Sequence, residues 1–192
     1  MPDENAVVYD RQAVLRDGTP VHVRAARADD DRRVIAAFGK LERESVYTRF
    51  FSFKEQLAAA DLERLHGGDG RRGAAIVVTL AADEDTVIAG ASYAVHPGPD
   101  GLASAEVAFM TEEDYQGQGL ARLLLDALAG IARTHGIARL DAEVLAGNRA
   151  MLRVFERSGL PMRSSREDGV VHVDLDLRPA PAGHAVDAPA PR

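Results

Sequence analysis

The sequence predicts a mixed α/β (α+β) domain in which helices flank a central sheet. Three observations predict it. Segments 74–81, 86–96 and 102–110 follow one another as apolar, β-branched or alternating runs of strand length. Leu120, Leu123, Leu124, Ala127, Leu128 and Ile131 then recur at helical spacing. A glycine-bearing turn, Gln116-Gly117-Gln118-Gly119, separates the two patterns, so residues 105–128 read as strand, turn and helix.

The remaining elements follow in order. Residues 1–12 lack periodicity and read as a flexible N-terminal arm. Residues 13–16 and 21–24 form a hairpin about Asp17-Gly18. Asp29, Asp30 and Asp31 make an N-cap cluster that suits a helix start, and Val34, Ile35, Phe38 and Leu41 continue at helical spacing. Leu57, Leu62 and Leu65 mark a helix over 57–66, ended by a loop at Gly67-Gly68-Asp69-Gly70. The three strands come next, with turns at 83–85 and 97–101. The helix from Gly119 stops near His135-Gly136. Residues 139–145 alternate as a strand, and Gly147-Asn148 opens a helix that ends at Ser158-Gly159, before Pro161. A last hairpin joins 162–166 to 170–177 through Asp168-Gly169. Residues 178–192 are rich in Pro and Ala and read as a disordered tail. One domain is therefore expected over 13–177, with no repeat and no second domain.

A chain of 192 residues with 46% hydrophobic content suits one domain with a real core. The absence of cysteine excludes disulfides, thiol catalysis and zinc–thiolate sites. The six histidines show no metal-ligand spacing, so no metal is expected. No apolar run nears the roughly 20 residues that span a bilayer, and residues 1–10 lack the features of a signal peptide. A cytoplasmic protein with no membrane partner is expected. A net charge of −7 and the lack of tryptophan disfavour nucleic acid as a partner. The charge is compatible with a cationic partner such as an amine, and solubility alone accounts for it.

The glycine turn carries chemistry. The first turn of a helix leaves N–H groups unpaired, and their positive end favours an anion, usually phosphate. Gly117 and Gly119 let a ligand approach the backbone, and Ala121 keeps the next turn open. There is no Walker lysine, and Arg122 stands where a GxGxxG pattern would place its third glycine. Two glycines alone leave open a turn that binds nothing.

Gln116-x-x-Gly119-x-Ala121, after a strand and opening a helix, resembles the Q/R-x-x-G-x-G/A signature of the GNAT acetyltransferase superfamily. Ser45-x-Tyr47-x-Arg49-Phe50-Phe51 resembles a segment of bacterial Pat-type protein-lysine acetyltransferases, and the run from Asn148 to Leu160 resembles the GNAT N-x-x-A-x-x-L-Y-x-K-x-G-F motif. The element order also matches the GNAT fold across 13–177. The resemblance implies a mixed, mostly antiparallel sheet splayed at an acetyl-CoA site. Gln116, Gly117, Gln118, Gly119, Leu120, Ala121 and Arg122 would hold the CoA pyrophosphate. Ala108, Phe109 and Met110 would hold the pantetheine arm beside a bulge at the end of their strand.

Acetyl transfer needs a neutral amine and hence a base, together with a donor for the oxyanion. Glu106 is the candidate base. It shares a strand face with Ala108 and Met110, and a charge within an apolar strand is costly unless paired or functional. The glutamate of Ala105-Glu106-Val107-Ala108-Phe109 matches the base of the Pat type. A solvent-facing or ion-paired glutamate is the bland alternative. Asn148 needs no role beyond capping its helix, although the resemblance implies contact with pantetheine. Phe155 stands where the family has a tyrosine proposed to protonate the thiolate, so that acid is missing here. Tyr115, Arg122 and Glu143 are weaker candidates, and Glu112, Glu113 and Asp114 are expected to point away from phosphate. The expected function is transfer of acetyl from acetyl-CoA to a lysine of a target protein such as an acyl-CoA synthetase, by direct attack. Alternatives are acetylation of a small amine, and a non-catalytic acyl-CoA-binding module.

Overall fold

The computed structural model describes residues 7–42, 57, 59–63 and 68–178. Strands β1 (Asp10–Val14) and β2 (Pro20–Ala25) form a hairpin, followed by a 3₁₀ turn (Ala28–Asp30) and helix α1 (Asp31–Lys40). A short helix α2 (Ala59–Glu63) precedes strands β3 (Gly73–Leu80), β4 (Asp83–Pro97) and β5 (Ala103–Thr111). A 3₁₀ turn (Glu113–Tyr115) then leads into α3 (Leu120–Thr134). Strand β6 (Arg139–Leu145), helix α4 (Arg149–Glu156) and the hairpin of β7 (Met162–Glu167) with β8 (Val170–Asp176) complete the chain.

The described strands make one eight-stranded sheet in the order β1-β2-β3-β4-β5-β6-β8-β7. Every pairing is antiparallel except β5 with β6. That parallel pair needs a crossover, which α3 supplies. Its ladder is short: Ser104, Ala105 and Glu106 pair with Arg139, Leu140 and Asp141. Beyond Glu106 the two strands part, while β4 accompanies β5 through Thr111. This is the mixed, mostly antiparallel and splayed sheet that the family resemblance implies.

Strand alternation divides the core between two faces. Ile76, Ala91, Tyr93, Val107, Leu140 and Val173 form one face, covered by Leu124, Leu125 and Leu128 of α3 and Phe155 of α4. Ala75, Val77 and Val87 form the other, under Val34 and Ala37 of α1, with Met110 packed against them. The helical spacing of apolar residues in α3 therefore reflects real burial.

Four expectations need correction. The sheet starts at Asp10, inside the 1–12 segment read as a loose arm, because β1 pairs with β2 from that residue. Val7 is also buried. The β3–β4 turn lies at 81–82, and Asp83 to Asp85 belong to β4. Their charges meet partners on neighbouring elements: Glu84 bonds His22 and Asp85 bonds Arg33. The bulge expected at the end of β5 is absent, since its register with β4 is unbroken. Two register shifts instead lie between β3 and β4; at the first, Ile88 is the extra residue between the Val78–Ala89 and Thr79–Val87 pairs. Finally, Asp30 does not cap α1 through its side chain. Residues 58 and 64–66 of the expected helix 57–66, the aromatic segment 45–51 and the tail beyond Arg178 lie outside the described residues.

Asp30 serves a different purpose. Its two carboxylate oxygens accept hydrogen bonds from the Arg24 guanidinium at 2.7 Å each, and one of them accepts from the Arg27 backbone N–H at 2.8 Å. Arg24 and Asp30 are only 3% and 2% exposed. Burial works to raise the Asp30 pKa, but the bonds from Arg24 and Arg27 and the charges of Arg24 and Arg33 outweigh it and hold the group below its ordinary value. Breaking one side of such a pair strands a buried charge. Asp30→Ala should therefore cost about 3–5 kcal/mol of unfolding free energy, read by denaturant titration. Because the folded pKa is depressed, the stabilisation is present above the unfolded value of about 3.9 and lost as pH falls through the folded value. The mutant should show a shallower acid limb than the wild type.

Candidate active site

The splay opens a cavity of about 1490 Å³ lined from β4, β5, the glycine turn, β6 and α4. Backbone phase decides what β5 presents to it. Glu112 N–H donates to Ile88 O at 2.9 Å, and Gly98 N–H donates to Leu102 O at 2.7 Å. Even-numbered residues of β5 therefore bond to β4, and odd-numbered ones turn their N–H and C=O toward β6. Ala103 O accepting from Ala138 N–H at 2.9 Å, on the β6 side, agrees with that phase. The Glu106–Asp141 bridge takes up the Val107 N–H, and past it there is no β6 partner, so the Val107 C=O and the backbone groups of Phe109 and Thr111 open into the gap. Of the predicted Ala108, Phe109 and Met110, only Phe109 does so. Ala108 and Met110 contribute side chains to the lining on the α1 face.

The glycine turn has the geometry of an anion cradle. Gly117 and Gly119 have φ of +75° and +97°, the left-handed region that side-chain-bearing residues avoid. Gly119 is the N-cap of α3, and no side chain caps the helix. The amides of Leu120, Ala121 and Arg122 are thus left for a ligand. A Cβ at Gly117 would meet nothing within 4 Å, and one at Gly119 would lie 3.8 Å from Arg16 Nε. The glycines are required by backbone conformation, and the space beside them is open.

Two arginines at this turn behave differently from expectation. The Arg122 side chain bonds Asp126 at 2.8 Å and reaches the carbonyls of Arg157 and Ser158 at the end of α4. It ties the two helices together, and its guanidinium is committed away from phosphate. Arg16, in the β1–β2 turn, donates from its guanidinium to Gly117 O at 3.1 Å and from its backbone to Gln118 O at 3.4 Å. It braces the cradle from 101 positions away in sequence, and no local signal marks it. Arg149, Arg153 and Arg157 repeat every four residues along α4 and line the same cavity. Gln116 also lines it, and the Gln118 side of the turn is held through its carbonyl by Arg16.

Glu106 stands at the vertex, the last β5 residue paired with β6. It is exposed and lines the cavity, so the burial suggested by its apolar strand does not occur. Asp141 is its neighbour on β6 and Ala94 its neighbour on β4. His96, two residues further along β4, bonds Asp141 at 2.8 Å across the intervening β5. Its other nitrogen lies 3.1 Å from Pro97 O. Both partners are acceptors, so satisfying both requires the doubly protonated ring. Partial burial opposes that charge, but the hydrogen bonds to Asp141 and Pro97 and the charges of Asp141 and Glu106 prevail and raise the pKa.

The other candidates are placed as follows. Asn148 caps α4, accepting from Met151 N–H at 3.1 Å. Phe155 is 1% exposed and stands edge-on to Phe109, with ring centroids 6.0 Å apart. Tyr115 packs partly against the core. Glu112 turns toward Lys40 at 3.2 Å and Glu113 accepts from Glu42 N–H at 3.0 Å, so both face the end of α1. Glu143 pairs with His172 at 3.5 Å. Among the described residues no cluster of three His, Asp or Glu side chains could hold a metal, and no helix is long and apolar enough to cross a membrane.

Residues 40–160 match the acetyltransferase (GNAT) family. The chain belongs to that family. It is 34% identical to the acetyltransferase Pat of Mycolicibacterium smegmatis over 166 residues, covering 86% of this chain and 48% of that protein. It thus spans about half the length of that relative. It is 28% identical to the Pseudomonas aeruginosa acetyltransferase PA5475, with 71% and 73% covered. The crystal structure of the GNAT domain of S. lividans PAT superposes with a TM-score of 0.76 at 35% identity, over 87% of this chain and 96% of that one.

The His96 pair makes a direct prediction. The imidazole should titrate above its ordinary value of about 6.5 when followed by NMR, and Asp141→Asn should lower the midpoint. A raised folded pKa means that the stabilisation is complete below the unfolded value and lost as pH rises through the folded one. A midpoint at or below the ordinary value in the wild type would show that the charged pair does not form.

Proposed function

We propose that this protein is an acetyl-CoA-dependent N-acetyltransferase acting on a lysine side chain of a target protein. The observation that carries the reading is the placement of an uncapped, glycine-lined helix start and the Glu106 carboxylate along one splayed strand. The α3 amides hold the pyrophosphate, with Arg16 bracing the turn and the α4 arginines adding positive potential. Val107, Phe109 and Thr111 pair with the pantetheine arm as a strand edge would, and an N–H of this free edge faces the oxyanion. Asn148 lies along the same path. The thioester supplies an activated acetyl group with a good leaving group.

Glu106 then takes a proton from the lysine ammonium, directly or through one water. The amine nitrogen bonds to the acetyl carbon, the C–S bond breaks, and the CoA thiolate takes the remaining amine proton. With Phe155 in the core, no side-chain hydroxyl there assists departure. The chain has no cysteine to carry an acyl intermediate, which favours direct transfer. Similarity to Pat-type enzymes supports a protein acceptor, with acyl-CoA synthetases the first class to try, and a cytoplasmic setting.

Two variants test the parts separately. Gly119→Glu forces a side chain into a left-handed position, at about 1–2 kcal/mol, and puts negative charge in the cradle. Calorimetric titration should show acetyl-CoA binding by the wild type and none by this variant. Glu106→Gln should bind acetyl-CoA as the wild type does and transfer acetyl roughly 10²–10⁴-fold more slowly. Equal transfer rates would remove Glu106 from the mechanism, and a wild type that ignores acetyl-CoA would end the reading.

A further inference from the structure

Ser92 lies in the middle of β4, two residue pairs beyond Glu106 toward the open end of the splay. Its cross-strand neighbours are Ala75 on β3 and Ala108 on β5. Along its own strand the same face carries Gly90 and Ala94. None of these side chains can accept or donate a hydrogen bond. Ser92 is 6% exposed, and the small surface it retains lines the cavity. Its hydroxyl has no hydrogen-bond partner among the described residues. The hydroxyl is not sealed inside the sheet: it opens onto the cavity, so its hydrogen-bonding capacity is available to a group bound there. The alanines around it show that a smaller apolar residue fits this surface.

The register places Ser92 on the face of Glu106. Ala108 is directly opposite Ser92, and Glu106 is the diagonal neighbour, which sets the two about 7–8 Å apart at Cα. That span admits one nitrogen between a hydroxyl and a carboxylate, each at hydrogen-bond distance. We infer that Ser92 is the second hydrogen-bonding group for the acceptor amine, holding it from the β4 side while Glu106 holds it from the vertex. The inference rests on the acetyl-transfer reading above. Once Glu106 has taken one proton, the neutral amine keeps two N–H bonds and a lone pair. Ser92 Oγ accepts from one N–H, which turns the lone pair toward the thioester carbon in the gap. As the N–C bond forms and the C–S bond breaks, the second amine proton leaves with the CoA thiolate, and the serine proton is not consumed. Fixing the direction of attack is a known source of rate, which gives a hydroxyl without a protein partner a use at this position.

The test compares wild type, Ser92→Ala and Ser92→Thr, with acetyl-CoA as donor and a lysine-containing peptide as acceptor. Ser92→Ala should lower kcat/KM for the peptide about tenfold, the effect of one hydrogen bond, and leave KM for acetyl-CoA unchanged. Ser92→Thr keeps the hydroxyl and should recover most of the rate. In thermal unfolding without ligand, Ser92→Ala should melt close to the wild-type temperature, because the hydroxyl has no protein partner to lose. A serine that merely stabilised the sheet would give a clear fall. Wild-type turnover by Ser92→Ala, or a clear fall in its melting temperature, overturns the inference and leaves acetyl transfer standing. A wild type that transfers nothing to the peptide overturns both together.

Discussion

The site depends on one constraint, the parting of β5 from β6 after Glu106. An interior strand that loses its neighbour keeps a row of N–H and C=O groups that need partners. On β5 these are the Val107 C=O and the backbone groups of Phe109 and Thr111. No loop or side chain among the described residues takes them up, and they face the cavity of about 1490 Å³. An extended, polar ligand arm is the natural complement to such an edge. The vertex of the splay is held firmly: Ala138 N–H bonds Ala103 O, Arg139 bonds Asp100, and His96 reaches over β5 to Asp141. The strands can diverge because they are fastened where divergence begins.

The parallel pairing also explains where the helix starts. A parallel neighbour requires a crossover from the end of β5 back to the start of β6. The connection is α3, so its positive N-terminus falls at the open end of the gap. The charges are sorted accordingly. Arg16 and the arginines of α4 stand along the helix side. Glu112 and Glu113, adjacent in sequence to the cradle, turn to Lys40 and the Glu42 backbone at the end of α1. Glu106 and Asp141 occupy the vertex. A chain with net charge −7 thus keeps cationic side chains on the helix side of the cavity and carboxylates at the vertex.

Most secondary structure was legible because its signals are periodic. The spacing of Leu120, Leu124, Leu128 and Ile131 marks α3, and the alternation of residues 139–145 gives β6 with its observed bounds. The glycine turn was legible too, since left-handed positions and an open approach leave few residue choices. Where polar residues were read by local rules, tertiary partners prevailed. Asp30, adjacent to a helix start, serves a buried arginine on β2. Asp83 to Asp85 resembled a turn but extend a strand, because His22 and Arg33 answer their charges. Arg122 sits in the first turn of the cradle, yet its guanidinium belongs to the end of α4.

The sequence by itself determined the element order, the helices flanking a central sheet and the glycine turn at the head of α3, which lies within a family signature. These depend on the spacing of neighbouring residues, and a linear pattern records that spacing. Only the tertiary structure decided which edge of β5 is free, that the register shifts lie between β3 and β4, that Arg16 braces the glycine turn, and that Ser92 and Glu106 face one space. Each of these follows from the hydrogen-bond phase or packing of segments far apart in the chain. Strand phase is a property of the pair, so no single stretch of sequence contains it.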